Sequence, residues 1–337
     1  MKSLGRIGAL VLAFVGLSAC GARALVDDLT GAAGTGAGGT GSGGAAGTSG
    51  TVADAGPVID AGPGPCSTTN APPGPFALLS AGNEGSCGVR TDGTLACWGE
   101  AYWYTLPDPF PGTYTHVSRL GGVCAVQTSG ALVCWADPAS RLTPVPTGAF
   151  AEVAIGESAA CARRRDGTVA CWGMGANVPA GYTFESLTGG AYFFCGLETG
   201  AHEAVCWEPR YQGEGTQIMT GPFVAVDTGR FFACGLRTDG SVSCWSASIP
   251  PGISDSNTSG MLSPSPGPFV ELSVGEFHAC GRRADGQLDC WGSNSYGQSA
   301  PPPGVRFTQV SAGSNHTCGI LPDGSAVCWG GSCNPWG

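Results

Sequence analysis

Seven regularly spaced pairs of cysteines constrain what this chain can fold into. Nine residues separate the two cysteines in six pairs and ten in the fourth, and the second cysteine is always followed by tryptophan. Successive first cysteines lie 34 to 46 residues apart, so we expect seven copies of one small structural unit. The pairs are Cys87 with Cys97, Cys124 with Cys134, Cys161 with Cys171, Cys195 with Cys206, Cys234 with Cys244, Cys280 with Cys290, and Cys318 with Cys328.

Within each copy the spacing predicts a β-hairpin linked by a disulfide. A glycine lies between the two cysteines of every copy, and in five copies it follows aspartate, as in Asp92-Gly93. A three-residue loop of residues 91–93, with Gly93 at positive φ, places Cys87 opposite Cys97. This is a non-hydrogen-bonded pair, in which the Cα atoms approach to about 4.5 Å, within disulfide range. The extra residue of the fourth copy predicts a larger loop or an additional bulge there.

Composition and the remaining repeat positions favour an all-β fold. With 58 glycines, 25 prolines and 12% charged residues, the chain has too many helix breakers for a helical bundle. Each copy also has an aromatic residue ten or eleven positions before its first cysteine and an aliphatic residue three positions later. We expect these side chains and the tryptophan to pack between neighbouring repeats. In six copies a glycine five positions before the first cysteine would let chains cross closely.

The cysteines outside the pairs bear on how the repeats are arranged. Of 17 cysteines, the seven pairs leave Cys20, Cys66 and Cys333. Cys66 precedes the first copy and Cys333 follows the last, so a disulfide between them would join the ends of a ring. A toroidal propeller gives a reason for such a link, whereas a solenoid does not. Two free thiols or an intermolecular bond are the alternatives.

The repeat register resembles that of the regulator of chromosome condensation repeat family. The seventh copy carries the motif over residues 310–330, with Val-Ser, His-x-Cys-Gly, Asp-Gly and Cys-Trp-Gly in order, and the sixth also has a Gly-x-Asn-x-x-Gly-Gln-like segment at 292–298. The resemblance implies a seven-bladed β-propeller, which we place at residues 66–337. The family's founding role, nucleotide exchange on a nuclear GTPase, is not expected of an exported acidic chain.

The N-terminus predicts export and lipid anchoring. Residues 1–19 have a positive start and an apolar stretch too short to span a bilayer, and they end in Leu17-Ser18-Ala19 before Cys20. This resembles the bacterial lipobox, which implies that Cys20 is lipidated and anchors the protein in the cell envelope. Gly21, in place of Asp, favours the outer membrane by the same resemblance. An ordinary signal peptide cut near Ala19 is the alternative.

Residues 20–65 are expected to be a disordered tether. Their composition is largely Gly, Ala, Thr, Ser and Pro, which cannot bury a core. A chain of this length has a root-mean-square reach of about 35–40 Å. The domain boundaries are therefore a signal peptide at 1–19, a tether at 20–65 and a propeller at 66–337.

The sequence offers little catalytic chemistry. Of four histidines, His278 and His316 share one repeat position, which other copies fill with Gly, Ala or Phe. Carboxylates such as Glu152 and Glu271 are single and scattered along the chain, and the basic run 163–165 is expected to be solvated at a hairpin tip. We therefore predict no catalytic residue, no metal site and no cofactor.

The expected function is non-catalytic binding of an extracellular or envelope protein or glycan. Insertions at 100–111 and 245–267 are the candidate binding loops, and Tyr102, Trp103 and Tyr104 are the candidate aromatic anchor. The formal net charge of −10 argues against nucleic acid, and a monomer is expected. Two alternatives remain, an inhibitor of an extracellular hydrolase and a propeller lyase or hydrolase.

Overall fold

Seven antiparallel sheets of consecutive strands follow one another along the chain, and we call them blades 1 to 7. The computed structural model describes residues 71–83, 85–99, 106–136, 142–174, 177–208, 216–246 and 260–331. In blades 1 to 3 the strands are β1 (Phe76–Ala81), β2 (Gly85–Arg90), β3 (Leu95–Gly99), β4 (Tyr114–Arg119), β5 (Val123–Gln127), β6 (Leu132–Trp135), β7 (Glu152–Ile155), β8 (Ala159–Arg163) and β9 (Val169–Gly173).

Blade 4 is the one sheet with four strands in the described part of the chain. Blades 4 and 5 contain β10 (Phe184–Gly189), β11 (Phe194–Glu198), β12 (Ala204–Trp207), β13 (Gln217–Met219), β14 (Phe223–Thr228), β15 (Phe232–Arg237) and β16 (Val242–Ser246). Blades 6 and 7 contain β17 (Glu271–Val274), β18 (His278–Arg282), β19 (Leu288–Gly292), β20 (Gln309–Ala312), β21 (His316–Ile320) and β22 (Ala326–Gly330). Among the described residues, none forms a helix long and apolar enough to cross a membrane.

The hairpin geometry predicted from the cysteine spacing is confirmed. In blade 1 Cys87 pairs directly with Cys97 across β2 and β3, their Cα atoms are 4.0 Å apart, and Gly93 has φ 86°. The six other predicted pairs form the same kind of cross-strand disulfide, with Cα atoms 4.0–4.1 Å apart. They join Cys124 to Cys134, Cys161 to Cys171, Cys195 to Cys206, Cys234 to Cys244, Cys280 to Cys290, and Cys318 to Cys328.

The fourth hairpin accommodates its extra residue in the loop. Cys195 and Cys206 still lie directly opposite each other across β11 and β12. The backbone N–H of Glu198 donates to the carbonyl of Glu203, which encloses a four-residue loop. The longer loop expected in this copy is therefore present, and the register of the disulfide is the same as in the other blades.

Aspartate fixes the hairpin turns by accepting hydrogen bonds two residues ahead. Asp92 Oδ1 accepts from the Thr94 backbone N–H at 2.8 Å and from its hydroxyl at 2.7 Å. The same pair of bonds recurs at Asp166, Asp239 and Asp323. These bonds, above all the one from the hydroxyl, lower the pKa of the four carboxyls. The recurring Asp-Gly pair is thus explained by turn structure.

Each pair of neighbouring blades shares one hydrophobic cluster, as the repeat pattern predicted. The aromatic residue that begins a blade, its aliphatic partner and its tryptophan pack on the disulfide of the preceding blade. In blade 1 Phe76, Leu79 and Trp98 contact Cys318 and Cys328 of blade 7. The other six interfaces follow the same arrangement. The disulfide therefore joins two strands and also supplies the apolar surface on which the next blade rests.

A second link between blades closes the ring. In six blades the carbonyl of the turn glycine accepts a hydrogen bond from the backbone N–H that begins the next blade, as from Tyr114 to Gly93 at 2.8 Å, and in blade 4 the acceptor is the carbonyl of His202. Blade 7 makes this bond to blade 1, because the N–H of Phe76 donates to Gly324 at 2.7 Å. The circle of seven blades is complete without exchange of a strand. The disulfide expected between Cys66 and Cys333, the tether and Cys20 lie outside the described residues.

At one end of the ring the recurring glycines cross at close range. A Cβ added to Gly190 would lie 2.0 Å from the carbonyl oxygen of Gly229, and one added to Gly229 would lie 2.3 Å from that of Gly275. Gly275 bears the same relation to Gly313, and Gly313 to Gly82. Any side chain would collide with backbone of the next blade, so glycine is required at these positions.

Candidate functional site

The innermost strands of the blades surround a polar channel along the propeller axis. Its cavity of about 270 Å³ is lined by residues from all seven blades. Each inner strand has an edge that no further strand covers, and unpaired backbone groups at such an edge need hydrogen-bond partners. Side chains that point into the channel supply them.

A ring of small polar side chains binds the exposed edge of each neighbouring strand. In five blades the side chain is Ser80, Ser118, Asp227, Ser273 or Ser311, and it accepts from a backbone N–H of the next inner strand at 2.7–3.2 Å. The contact between Ser311 and the N–H of Ala81, at 2.9 Å, joins blade 7 to blade 1. Ala154 occupies this position in blade 3 and has no side-chain acceptor.

Asp227 is the one carboxylate in this ring, and its hydrogen bonds hold three blades. It accepts from the Thr188 hydroxyl at 2.5 Å, from its neighbour Thr228 N–H at 2.8 Å and from the Val274 N–H at 2.7 Å. Burial raises the pKa of Asp227, and these donors oppose that rise. Because its carboxylate oxygens accept these bonds from blades 4, 5 and 6, Asp227 has a structural role.

Two carboxylates of the inner strands, in different blades, each form an ion pair with an arginine of their own blade. Glu152 pairs with Arg163 at 2.9 Å and accepts from the Leu187 N–H at 3.1 Å. At the same repeat position, Glu271 pairs with Arg282 and accepts from the Val310 N–H at 3.1 Å. Burial raises the pKa of Glu271. Arg163 therefore does not lie solvated at a hairpin tip, because it belongs to an ion pair that is mostly buried.

One end of the channel carries an aromatic–arginine cluster, which we call the rim cluster: Tyr192, Arg230, Phe231, Glu276 and Phe277. The Arg230 guanidinium lies 5.4 Å from the ring centres of Tyr192 and Phe231 and 5.8 Å from that of Phe277. It also bonds the Tyr192 hydroxyl at 2.9 Å and forms an ion pair with Glu276. The Arg230 side chain is 31% exposed and the three rings are half-buried, so the cluster is held in place and still accessible.

Sequence reasoning missed the rim cluster, although a signal for it exists. The three rings occupy one repeat position, three residues before the first cysteine, in blades 4 to 6. Other copies have Glu, Gly, Ser or Asn there, and the position lies in the turn between the first two strands. Comparing the positions that vary among copies would have found it.

The expected binding loops are described only in part. Tyr102, Trp103 and Tyr104 lie outside the described residues, as do residues 247–259 of the second insertion. Of the described remainder, Phe110 is buried against Trp135, with ring centres 4.8 Å apart, and Met261 is 1% exposed. In these portions Phe110 and Met261 pack against the core, while residues such as Leu262 are exposed.

The two histidines at one repeat position are buried in a hydrogen-bonded network. His278 Nε2 lies 2.7 Å from the Thr317 hydroxyl, and His316 Nε2 lies 2.9 Å from the Ser86 hydroxyl. Burial lowers the pKa of His278 to about 3 and that of His316 to about 4, so both are neutral at pH 7. No group of three or more metal-ligating side chains gathers within the described ranges.

Comparison with known proteins identifies the repeat. Residues 269–298 and 307–334, which span blades 6 and 7, match the family described as "Regulator of chromosome condensation (RCC1) repeat". Blades 6 and 7 are thus similar to RCC1 repeats. A search of curated proteins finds no significant match to the whole sequence.

Solved structures share the propeller fold of this chain at low sequence identity. The CRINKLY WD40 ectodomain of the Arabidopsis thaliana receptor kinase ACR4 is 23% identical with a TM-score of 0.60, and the match covers 76% of this chain and 95% of that one. The ectodomain of the Physcomitrella patens receptor kinase CR4 is 22% identical with a TM-score of 0.59, covering 75% and 73%. Human WBSCR16 is 12% identical with a TM-score of 0.55, covering 76% and 86%.

Proposed function

We propose that this chain is a non-catalytic binding lipoprotein of the bacterial cell envelope. Lipid on Cys20 anchors it, with the outer membrane as the expected location, and residues 20–65 hold the propeller clear of the surface. The propeller then binds an extracellular or envelope protein through the rim cluster.

The rim cluster is the observation that carries this proposal. Tyr, Phe and Arg are enriched in the cores of protein interfaces, and side chains already held in place lose little conformational entropy on binding. Arg230 is fixed by Glu276 and three rings, and it remains partly exposed. The acidic groups deeper in the channel bind neighbouring backbone, which accounts for them without chemistry on a substrate.

Two further observations support it. Seven disulfides indicate an oxidising compartment, such as the envelope or the cell exterior. The receptor-kinase ectodomains that share the fold are extracellular portions of receptors by their description.

Cross-linking in the producing cells tests the binding role. The full chain with an affinity tag is compared with Phe231→Ala and with Tyr296→Ala, a control at an aromatic residue 44% exposed outside the cluster. We expect Phe231→Ala to reduce capture of the partner by about tenfold, because central aromatic residues dominate interface energetics. Tyr296→Ala should leave capture unchanged, and circular dichroism should show both variants folded. Equal capture by the two variants, or no specific partner, would contradict the proposal.

Cell fractionation tests the anchor. Cys20→Ala should move the protein from the membrane to the soluble fraction, because acyl chains provide the membrane affinity. Retention of the variant in the membrane fraction would refute lipidation at this residue.

A further inference from the structure

The rim cluster contains an ion pair whose two residues are fixed by backbone hydrogen bonds between blades. The Arg230 guanidinium pairs with Oε1 of Glu276. The Arg230 backbone N–H donates to the Glu276 carbonyl at 3.3 Å, and the Glu276 N–H donates to the Gly313 carbonyl at 3.1 Å. Both side chains therefore start from backbone that is held across blades 5, 6 and 7, and each charge compensates the other.

Both members of this pair keep hydrogen-bonding capacity that a partner could use. Arg230 donates from one terminal nitrogen to Glu276 and from the other to the Tyr192 hydroxyl, and each terminal nitrogen of a guanidinium has a second N–H. The Arg230 side chain is 31% exposed, whereas its Nε is buried, so the terminal nitrogens are the part that a partner can reach. Glu276 Oε2 accepts no hydrogen bond from a described residue and is accessible to solvent.

Another glutamate of the same blade shows what satisfies a carboxylate in this setting. Glu271 pairs with Arg282 through Oε2, and its Oε1 accepts from the Val310 backbone N–H at 3.1 Å. One carboxylate oxygen thus binds a guanidinium, and the other binds an uncharged amide of the next blade. Glu276 has the first of these contacts, and among the described residues nothing supplies the second. The chemistry that completes the pair is therefore an amide N–H.

Local charge favours an uncharged ligand over a carboxylate. Arg230 is the one basic residue in the described turns between the first two strands of the blades, whereas Glu157 and Glu276 are acidic residues of the same turns. A carboxylate that approached Arg230 would also approach Glu276 in a partly buried site, so repulsion and lost hydration would offset the attraction. An amide accepts from Arg230 and donates to Glu276 without that repulsion.

We propose that the rim cluster binds a peptide segment of the partner protein in which an Asn or Gln side chain lies beside an apolar residue. The carboxamide oxygen accepts from Arg230, the carboxamide nitrogen donates to Glu276 Oε2, and the apolar neighbour covers the rings of Phe231 and Phe277. Glu276 determines this specificity, because it neutralises Arg230 and so excludes acidic segments. The inference rests on the proposed binding of a protein through the rim cluster.

Selection from a displayed library of random peptides tests the proposal on the full chain. We expect enrichment of peptides in which Asn or Gln neighbours an apolar residue. Changing that amide to the matching acid in the peptide should weaken binding about tenfold, and Phe231→Ala should weaken binding of the amide peptide about tenfold. The affinity of the amide peptide should not change when salt is raised from about 0.05 to 0.5 M, because its contacts involve no net charge.

Glu276→Gln tests the role of the carboxylate. This variant keeps the size of the side chain and an acceptor for Arg230, but it removes the compensating charge. The acid peptide should then bind at least as tightly as the amide peptide, a reversal of about tenfold in relative affinity. Glu185→Gln is the matched control, because it changes the net charge equally at a side chain 42% exposed near the opposite end of an inner strand. Its peptide preference should equal that of the original chain.

Three results would overturn the inference. The first, which needs no variant, is that the original chain binds the acid peptide as tightly as the amide peptide. The second is that Glu276→Gln, shown to be folded by circular dichroism, changes the preference no more than Glu185→Gln does. The third is that no peptide is enriched, or that the enriched peptides bind Phe231→Ala with undiminished affinity. If capture of the cellular partner still depends on Phe231, the proposed function stands and this inference alone fails. If capture does not depend on Phe231, the proposed function fails, and this inference fails with it.

Discussion

Replacement of His278 by phenylalanine should make the protein less sensitive to acid. His278 is buried beside Thr317, and its pKa of about 3 lies well below the value of about 6.5 in an unfolded chain, chiefly because burial disfavours the charged ring and secondarily because of His316. The unfolded state takes up a proton below pH 6.5 that the folded state does not. The neutral ring therefore makes its full contribution to the free energy of unfolding above pH 6.5, and this contribution falls as the pH is lowered towards 3.

The expected magnitude follows from the width of this window. At pH 5 the unfolded chain has gained about 2 kcal/mol from protonating this one residue, at about 1.4 kcal/mol per pH unit below 6.5. His316, whose pKa is lowered to about 4 by burial and by Arg119, adds a similar amount. Phenylalanine is the natural replacement, because blades 4 and 5 have the buried Phe193 and Phe232 at the same repeat position.

Denaturant unfolding at pH 7 and pH 5, without reductant, measures the effect. The loss of unfolding free energy between the two pH values should be about 2 kcal/mol smaller in His278→Phe than in the original chain. At pH 7 the variant should be less stable by about 1 kcal/mol, because the bond to the Thr317 hydroxyl is lost. The same pH dependence in both proteins would refute the assignment of His278 as a buried neutral group.

Three other perturbations test the packing of the ring. Gly190→Ala should lower the free energy of unfolding by about 3 kcal/mol in thermal or denaturant unfolding, because the added Cβ collides with backbone of the next blade. The control is Gly181→Ala, whose Cβ would contact no other atom. It should cost about 1 kcal/mol, because Gly181 has a φ of 87°. Glu271→Ala should cost about 3 kcal/mol in the same assay, since it strands a mostly buried arginine and a backbone N–H; a loss below 1 kcal/mol would contradict this. Replacing Cys161 and Cys171 together by Ala should cost about 2–3 kcal/mol, and unchanged stability would mean that the disulfide is dispensable.

Local spacing explains why the hairpins could be predicted. A cross-strand disulfide requires two cysteines directly opposite each other, so nine intervening residues with a turn glycine leave few alternatives. The interface between blades was also predictable, because an aromatic residue, an aliphatic residue and a tryptophan recur in every copy. Physical constraints that act within one repeat are visible in the sequence of that repeat.

The axial groups were not predictable in the same way, because they come together only when the ring closes. Glu152 and Glu271 look isolated in the sequence, yet each lies on an inner strand beside an arginine of its own blade and the backbone of the next. The sequence analysis placed the aromatic binding residues in the long insertions between blades. The aromatic rings that surround Arg230 lie instead in the short turns between the first two strands of blades 4 to 6. Positions that differ among copies, rather than those that repeat, hold the candidate site.

Hydrogen exchange at the inner edge of blade 1 tests ring closure most directly. The N–H groups of Leu79 and Ala81 donate to Gln309 Oε1 and Ser311 Oγ of blade 7, each at 2.9 Å. In a closed ring these amides should be protected as strongly as those of Val310 and Ala312, which make the equivalent bonds to blade 6. Residue-resolved exchange at rates near those of an unstructured peptide, at Leu79 and Ala81 alone, would show that blades 7 and 1 do not meet.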